Sequence, residues 1–344
     1  MSLWRPIRSP SPLPLSLALQ GGGAHGAYTW GVLDALLESG RFHFDAVSGT
    51  SAGAMNALVL ADGLARGGPD AAREALATFW DRLAGQLPTE WFIEGDPEQP
   101  GLAPGLQLML QWTQFLSPYQ LNPLGLNPLA DLLREQVDFE RLRRPDALTL
   151  YIAATRADTG RLRLFRNAEL SVDVALASAC LPTLHHAVEI DGHPYWDGGY
   201  AANPALFPLV HESHAADLLI VMLSLLEHPG LPTQAAAIRT RAVEIAFNAT
   251  FQREAALLGE SCQLAHGSWL ALGPLERRLR RLRLHLIDAQ DALGHLGSET
   301  KLLAHRPFLL HLKSLGRQRA LRWLEEQGDA LGRRSSVDLA AMFG

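Results

Sequence analysis

Cysteine is nearly absent from this 344-residue chain: only Cys180 and Cys262 occur, too few for a disulfide framework or a cysteine-rich metal site. Lysine is almost as scarce, with Lys301 and Lys313 alone, so arginine carries the basic charge. There is no excess of that charge. A net charge of −6 leaves no electrostatic case for a nucleic-acid partner. No uninterrupted apolar run approaches the length of a membrane span. Residues 1–14, with Arg5, Arg8, Pro10, Pro12 and Pro14, are too proline-broken for a signal peptide and read as a flexible leader, so the expected location is cytoplasmic. No internal repeat or long linker divides the remainder.

What the chain has in quantity is apolar residues, 47% against 19% charged, which suits a sizeable globular core. Its glycines gather at two informative places. Leu15–Gln20 reads as a short buried strand running into Gly21-Gly22-Gly23-Ala24-His25-Gly26, and a helix over Ala24–Glu38 follows, stopped by Gly40. Consecutive glycines leave main-chain N–H groups unshielded, and the helix dipole adds positive potential, so this loop suits an anion. The second cluster is Gly49-Thr50-Ser51-Ala52-Gly53, between a strand over Phe44–Ser48 and an alanine-rich helix over Ala52–Leu64. This alternation with short connections predicts an α/β fold with a mainly parallel sheet covered by helices. Both glycine turns then fall at carboxyl ends of strands, where open α/β sheets bind ligands.

A further helix over 70–83 precedes residues 86–127, a proline- and aromatic-rich stretch that breaks the rhythm. With Trp91, Phe92, Met109, Trp112, Phe115 and Tyr119, it reads either as an inserted subdomain with its own packing or as a cap lining an apolar pocket. Helix resumes over Pro128–Gln136. Leu148–Thr155 and Arg161–Phe165 form a predicted hairpin through Asp158-Thr159-Gly160; Ala187–Ile190 and His193–Trp196 form another through Asp191-Gly192. Between the two lies a helix over Ser171–Ala179. The apolar run Leu218–Leu223 is expected as a buried central strand. A long helix over 234–259, an arginine-rich stretch over 277–287 read as a solvated face ending in a strand, and an amphipathic helix over 307–328 complete the chain.

Ser51 lies in the pattern Gly-x-Ser-x-Gly, in which a serine is exposed on a sharp strand-to-helix turn. The bland alternative is a helix start at which Ser51 satisfies backbone donors. A nucleophilic serine makes a tetrahedral oxyanion from an ester carbonyl, and N–H groups around Gly22, Gly23 and Ala24 suit that charge. The same loop satisfies the dinucleotide fingerprint Gly-x-Gly-x-x-Gly, although Ser48-Gly49 stands where an acidic residue would end the second strand. No Gly-Lys-Ser/Thr follows, which argues against a nucleotide phosphate loop. For the proton, 13 histidines allow a Ser–His–Asp triad on paper, none with a local signature. Asp197-Gly198-Gly199, after a predicted strand, offers a better base: its glycines leave the carboxylate accessible, and partial burial would raise its pKa. An Asp-Gly pair otherwise reads as a plain turn.

In this order, the Gly21–Gly26 loop, Gly49-Thr50-Ser51-Ala52-Gly53 and Asp197-Gly198-Gly199 resemble the patatin-like phospholipase family. Ala177-Ser178-Ala179-Cys180-Leu181-Pro182 and Asn203-Pro204 resemble the segments flanking that family's aspartate, so the resemblance spans residues 15–205. It implies a three-layer α/β/α fold and a serine–aspartate dyad without a catalytic histidine. Ser51 would be the nucleophile, Asp197 the base, and Gly21, Gly22 and Gly23 the lining of the oxyanion hole, with no metal or organic cofactor. His25 departs from the Arg or Lys common at its position. The implied activity is hydrolysis of carboxylic esters of lipids through an acyl-enzyme. An acyltransferase with the same dyad, or a non-catalytic lipid-binding protein, would carry the same motifs. The implied organisation is a catalytic domain over 15–230, with the 86–127 insertion as cap, and a helical C-terminal extension over 231–344 packed on it, as in one bacterial branch of the family. The implied partner is a lipid or ester substrate, met by peripheral membrane contact through the insertion. Nothing in the sequence sets an oligomeric state.

Overall fold

Side chains alternate between the two faces of a sheet, so a strand that is apolar throughout needs cover on both sides. Two layers of helices supply it in a computed structural model that describes residues 11–86, 93–103, 105, 116–227, 230–267 and 273–344. The principal elements begin with β1 (Leu13–Leu19), α1 (Gly26–Glu38), β2 (Phe42–Gly49), α2 (Ala52–Ala84) and α3 (Pro128–Gln136). They continue with β3 (Thr149–Arg156), β4 (Leu162–Arg166), α4 (Val172–Ser178), β5 (Val188–Ile190), β6 (His193–Asp197) and β7 (Asp217–Met222). The chain closes with α5 (Ala235–Gly267), β8 (Arg283–Asp288) and α6 (Arg306–Gln327).

The central sheet runs β8-β7-β1-β2-β3-β6-β5, with β4 also paired to β3. The pairings from β8 through to β3 are parallel, and those of β3 with β4, β3 with β6 and β6 with β5 are antiparallel. On one face, Leu15, Leu17, Leu19, Val47 and Ile152 meet Leu33 of α1, Leu58 of α2, Val174 of α4 and Leu312 of α6. On the other, Ala18, Ala46, Leu218, Ile220 and Leu286 meet Phe251 and Leu258 of α5. The result is a three-layer α/β/α fold with a mainly parallel sheet. Among the described residues, no helix is long and apolar enough to cross a membrane.

Several boundaries differ from the sequence expectation for local reasons. β1 starts at Leu13, inside the expected leader, because its N–H bonds the Arg41 carbonyl at 2.8 Å; Pro14 is tolerated as an exposed residue at a strand start. The run Ala52–Ala84 is two helices broken at Gly67 and Gly68 ahead of Pro69, as the separate spans 52–64 and 70–83 anticipated. The arginine stretch divides: Pro274 opens a helix to Arg281, and β8 follows. Arg277, Arg280 and Arg281 are exposed, as a solvated face requires, while Arg278 and Arg283 join elements. Arg278 donates to the main-chain carbonyls of Val210 and Ala215, and Arg283 pairs with Asp217 at 2.7 Å. Within the 86–127 insertion, Ile93–Glu94 and Gly101–Leu102 form an antiparallel ribbon, and Ser117 caps a short helix, Pro118–Leu121. Trp91, Phe92, Met109, Trp112 and Phe115 lie outside the described residues.

Candidate active site

β2 ends at Gly49 and the chain turns at once into α2. Ser51 makes that turn with φ 53° and ψ −123°, a backbone state that costs a residue with a side chain about 1–3 kcal/mol. Three hydrogen bonds hold it there. The Ser51 N–H donates to Ser178 Oγ at 3.0 Å, Thr50 Oγ1 donates to the Ala202 carbonyl at 2.8 Å, and the Gly53 N–H donates to the Thr50 carbonyl at 2.8 Å. A Cβ at Gly53 would sit 2.1 Å from the Leu19 carbonyl oxygen, so no larger residue fits beneath the turn.

Asp197 arrives on β6. Its strand pairs with the last residues of β3, Asp197 opposite Ala154, while the first half of β3 pairs with β2, Ile152 opposite Gly49. One end of β3 therefore collects both the serine turn and the aspartate. Asp197 is buried; its Oδ1 accepts from the Gly199 N–H at 2.7 Å, and among the described residues no well-formed hydrogen bond reaches Oδ2. Burial pushes its pKa up from 3.8 to about 7, opposed by the Gly199 N–H and the nearby Ser51 hydroxyl. Among the described residues, no histidine bonds this carboxyl. A Ser–His–Asp set does occur, at the opposite end of the sheet: Ser336 Oγ to His285 Nδ1 at 2.9 Å, and His285 Nε2 to Asp217 Oδ1 at 3.0 Å. Arg283 and the Gly332 N–H fill the same Asp217 carboxylate, so that set is a structural lock.

The glycine loop lies against the serine turn. A Cβ at Gly21 would come within 2.8 Å of both Ser51 Cβ and the Thr50 carbonyl oxygen, so only glycine permits this approach. The Gly21 N–H is already committed, to Asn203 Oδ1 at 2.8 Å. Those of Gly22 and Gly23 have no acceptor among the described residues; they open the 3-10 turn Gly23–His25 that leads into α1. Gln20 anchors the loop by accepting from the N–H groups of Leu223 and Ser224 at 2.6 and 2.7 Å. His25 is buried, with Nε2 2.7 Å from Thr300 Oγ1 and its ring edge-on to Phe308. Burial, and then the charge of Lys301, lower its pKa to about 3. It is a neutral packing residue.

The profile of the patatin-like phospholipases matches residues 17–210. This chain belongs to the patatin-like phospholipase family. That is a family of lipid-ester hydrolases. Among curated proteins, none matches the chain. Among solved structures, the chain is similar to bacterial proteins at low identity. VipD from Legionella pneumophila shares 16% identity with a TM-score of 0.42, the match covering 92% of this chain and 67% of VipD. ExoU of Pseudomonas aeruginosa, in its complex with SpcU, shares 18% with a TM-score of 0.27, covering 97% and 74%.

In this patatin-like chain, Ser51, Asp197, Gly21, Gly22 and Gly23 all come to one end of the sheet. Sequence reasoning overlooked what holds them. Ser178 orients the serine turn, and Asn203, just before the cis bond to Pro204, ties the glycine loop to the Asp197 segment. The family resemblance marks both segments, but no local pattern gives either side chain a role. Phe247, Thr300 and Lys301 reach the site from the C-terminal third, and no local pattern marks them. Among the described residues, no cluster of His, Cys, Asp and Glu is arranged to hold a metal.

Proposed function

We propose that this protein hydrolyses carboxylic esters of lipids with Ser51 as nucleophile and Asp197 as general base. The observation that carries this reading is a buried carboxyl, within reach of the Ser51 hydroxyl, beside a serine held in a strained turn. Ser51 Oγ attacks the ester carbonyl as its proton passes to Asp197 Oδ2, and the carbonyl oxygen becomes an oxyanion. The free N–H groups of Gly22 and Gly23 are the donors for it, while Gly21 allows the close approach. Collapse breaks the ester C–O bond, and the departing alkoxide takes the proton back from Asp197. Water then attacks the acyl-serine as Asp197 accepts its proton; collapse breaks the bond between the acyl carbon and Ser51 Oγ, Asp197 returns the proton to Oγ, and the fatty acid leaves.

A pKa near 7 suits this exchange, because one group must take and return a proton at neutral pH. Ser51→Ala is expected to reduce hydrolysis of p-nitrophenyl butyrate to background, and Asp197→Asn to lower kcat at least about a hundredfold. Unchanged circular dichroism would show that each variant folds. Full activity in either one would exclude the dyad. Covalent labelling of Ser51 by a fluorophosphonate, read by mass spectrometry, separates an enzyme from a lipid-binding protein. Product analysis with added alcohol acceptors separates hydrolysis from acyl transfer.

A further inference from the structure

The first half of α5 is a helix with no buried side. From Ala235 to Thr250 every described side chain is exposed or half-buried, whereas from Phe251 onward α5 packs on the sheet through Phe251, Ala255 and Leu258. Glu244, Phe247 and Asn248 hold the projecting half to the catalytic end of the sheet. Glu244 pairs with Lys301 at 3.3 Å, Phe247 packs on Tyr200 and Gly199, and Asn248 accepts from Ser224 Oγ at 2.5 Å. Away from those three run Ala235, Ile238, Ala242, Ile245 and Ala249, spaced by three and four residues and so aligned on one side. Ile238 and Ile245 are 48% and 54% exposed, and Leu231, just ahead of the helix, is 88% exposed.

A second apolar strip reaches the same place from elsewhere in the chain. Leu124 and Leu126 are 80% and 68% exposed, and the nearby Tyr119 stacks on His186 with ring centroids 4.1 Å apart. The His186 carbonyl accepts from the Cys180 thiol, and the Cys180 carbonyl accepts the Asp197 N–H at 2.8 Å. The segment that carries the leucine strip thus reaches the Asp197 turn through His186 and Cys180, and α5 reaches it through Phe247 on Gly199, on the side opposite its stripe. Their charge differs from that of the rest: in a chain of net charge −6, residues 116–127 carry no charged side chain, and residues 230–249 carry Arg239, Arg241 and Glu244, the last held by Lys301 and by Arg241 at 3.5 Å. Exposed aliphatic side chains with arginine among them match the interface of a lipid bilayer, where the aliphatics enter the acyl boundary and the arginines meet phosphate.

We infer that the outer stripe of α5 and the leucine strip around Leu124 form one membrane-docking surface, which delivers the Ser51 site to lipid in a bilayer. The inference rests on the lipid-ester reading above and adds the surface that reaches the substrate. Its test does not need turnover. Full-length Ser51→Ala protein is floated with vesicles of phosphatidylcholine alone, and of phosphatidylcholine with phosphatidylglycerol. Binding is expected to both, and tighter to the anionic mixture. Adding Ile238→Glu with Ile245→Glu, or Leu124→Glu, is expected to weaken partitioning about tenfold or more, while Leu321→Glu on α6 leaves it unchanged. Circular dichroism checks that each variant is folded. Absence of vesicle binding by the parent protein, or unchanged binding of both folded rim variants, would overturn the inference. So would light scattering that shows a dimer broken by the isoleucine substitutions with vesicle binding intact, which would assign the stripe to a second copy. Because Ser51→Ala is the parent throughout, failure here leaves the hydrolysis result untouched, and loss of the dyad leaves this one standing.

Discussion

Asp197 is a carboxyl group in a place where the carboxylate form is costly. The Gly199 N–H and the Ser51 hydroxyl favour the carboxylate, and burial outweighs the two together. Its protonation controls two observables. As a general base it must be unprotonated, so kcat/KM for a soluble ester is expected to fall as pH drops through about 7, and the fall should reflect one group. An activity flat down to pH 5 would contradict the assignment. The same shift has a stability sign. The folded pKa of about 7 lies above the ordinary 3.8, so Asp197 contributes stability that is complete below 3.8 and is lost as pH rises through about 7. The Asp197→Asn variant should therefore gain Tm relative to the parent protein on going from pH 5 to pH 8, measured by calorimetry.

Among the elements, α1 and α6 approach closely because each lacks a side chain at the crossing. A Cβ at Gly31 would lie 2.0 Å from the Lys313 carbonyl oxygen, and one at Gly316 would lie 2.0 Å from that of Tyr28. Helix propensity alone would make Gly→Ala favourable by about 1 kcal/mol. Packing reverses the sign: Gly31→Ala or Gly316→Ala is expected to destabilise by about 2 kcal/mol or more in urea unfolding. Gly267→Ala, whose Cβ meets nothing within 4 Å, is the matched control. The contact matters to the site because α1 starts from the glycine loop and Phe308 of α6 packs on His25 in that loop.

Across the whole molecule, the C-terminal third is joined to the sheet at both ends of its strands. At the catalytic end, Thr300 and Lys301 lie on the glycine loop. At the other, Asp217 receives Arg283, His285 and the Gly332 N–H. Burial pushes the Asp217 pKa up, but the His285 and Arg283 hydrogen bonds outweigh it and hold the value at about 2. That depressed pKa stabilises the fold above 3.8, and the contribution is lost as pH falls through about 2. Asp217→Ala leaves Arg283 and a fully buried His285 without their partner, and is expected to cost about 3 kcal/mol or more. Faster proteolysis after Gly328 in that variant, read by mass spectrometry, would locate the release at the chain's C-terminal end.

Local pattern sufficed for much of this protein. The alternation of strand and helix, the hairpin at Asp191-Gly192, the break before Pro69 and the three glycine-bearing motifs are short-range features, set by backbone sterics and side-chain periodicity within a few residues. The order of those motifs was enough to suggest the family. Tertiary structure alone decided which side chains secure the site. Ser178 stands 127 residues from Ser51, Asn203 stands 182 from Gly21, and Thr300 stands 275 from His25. It also decided that His25 is neutral, since burial against the C-terminal third sets its pKa. It left the outer stripe of α5 bare as well, which periodicity cannot distinguish from a stripe that faces a core. Separations of that length leave no trace in local sequence, because what selects the residues is the space and the unpaired donors that the folded sheet presents.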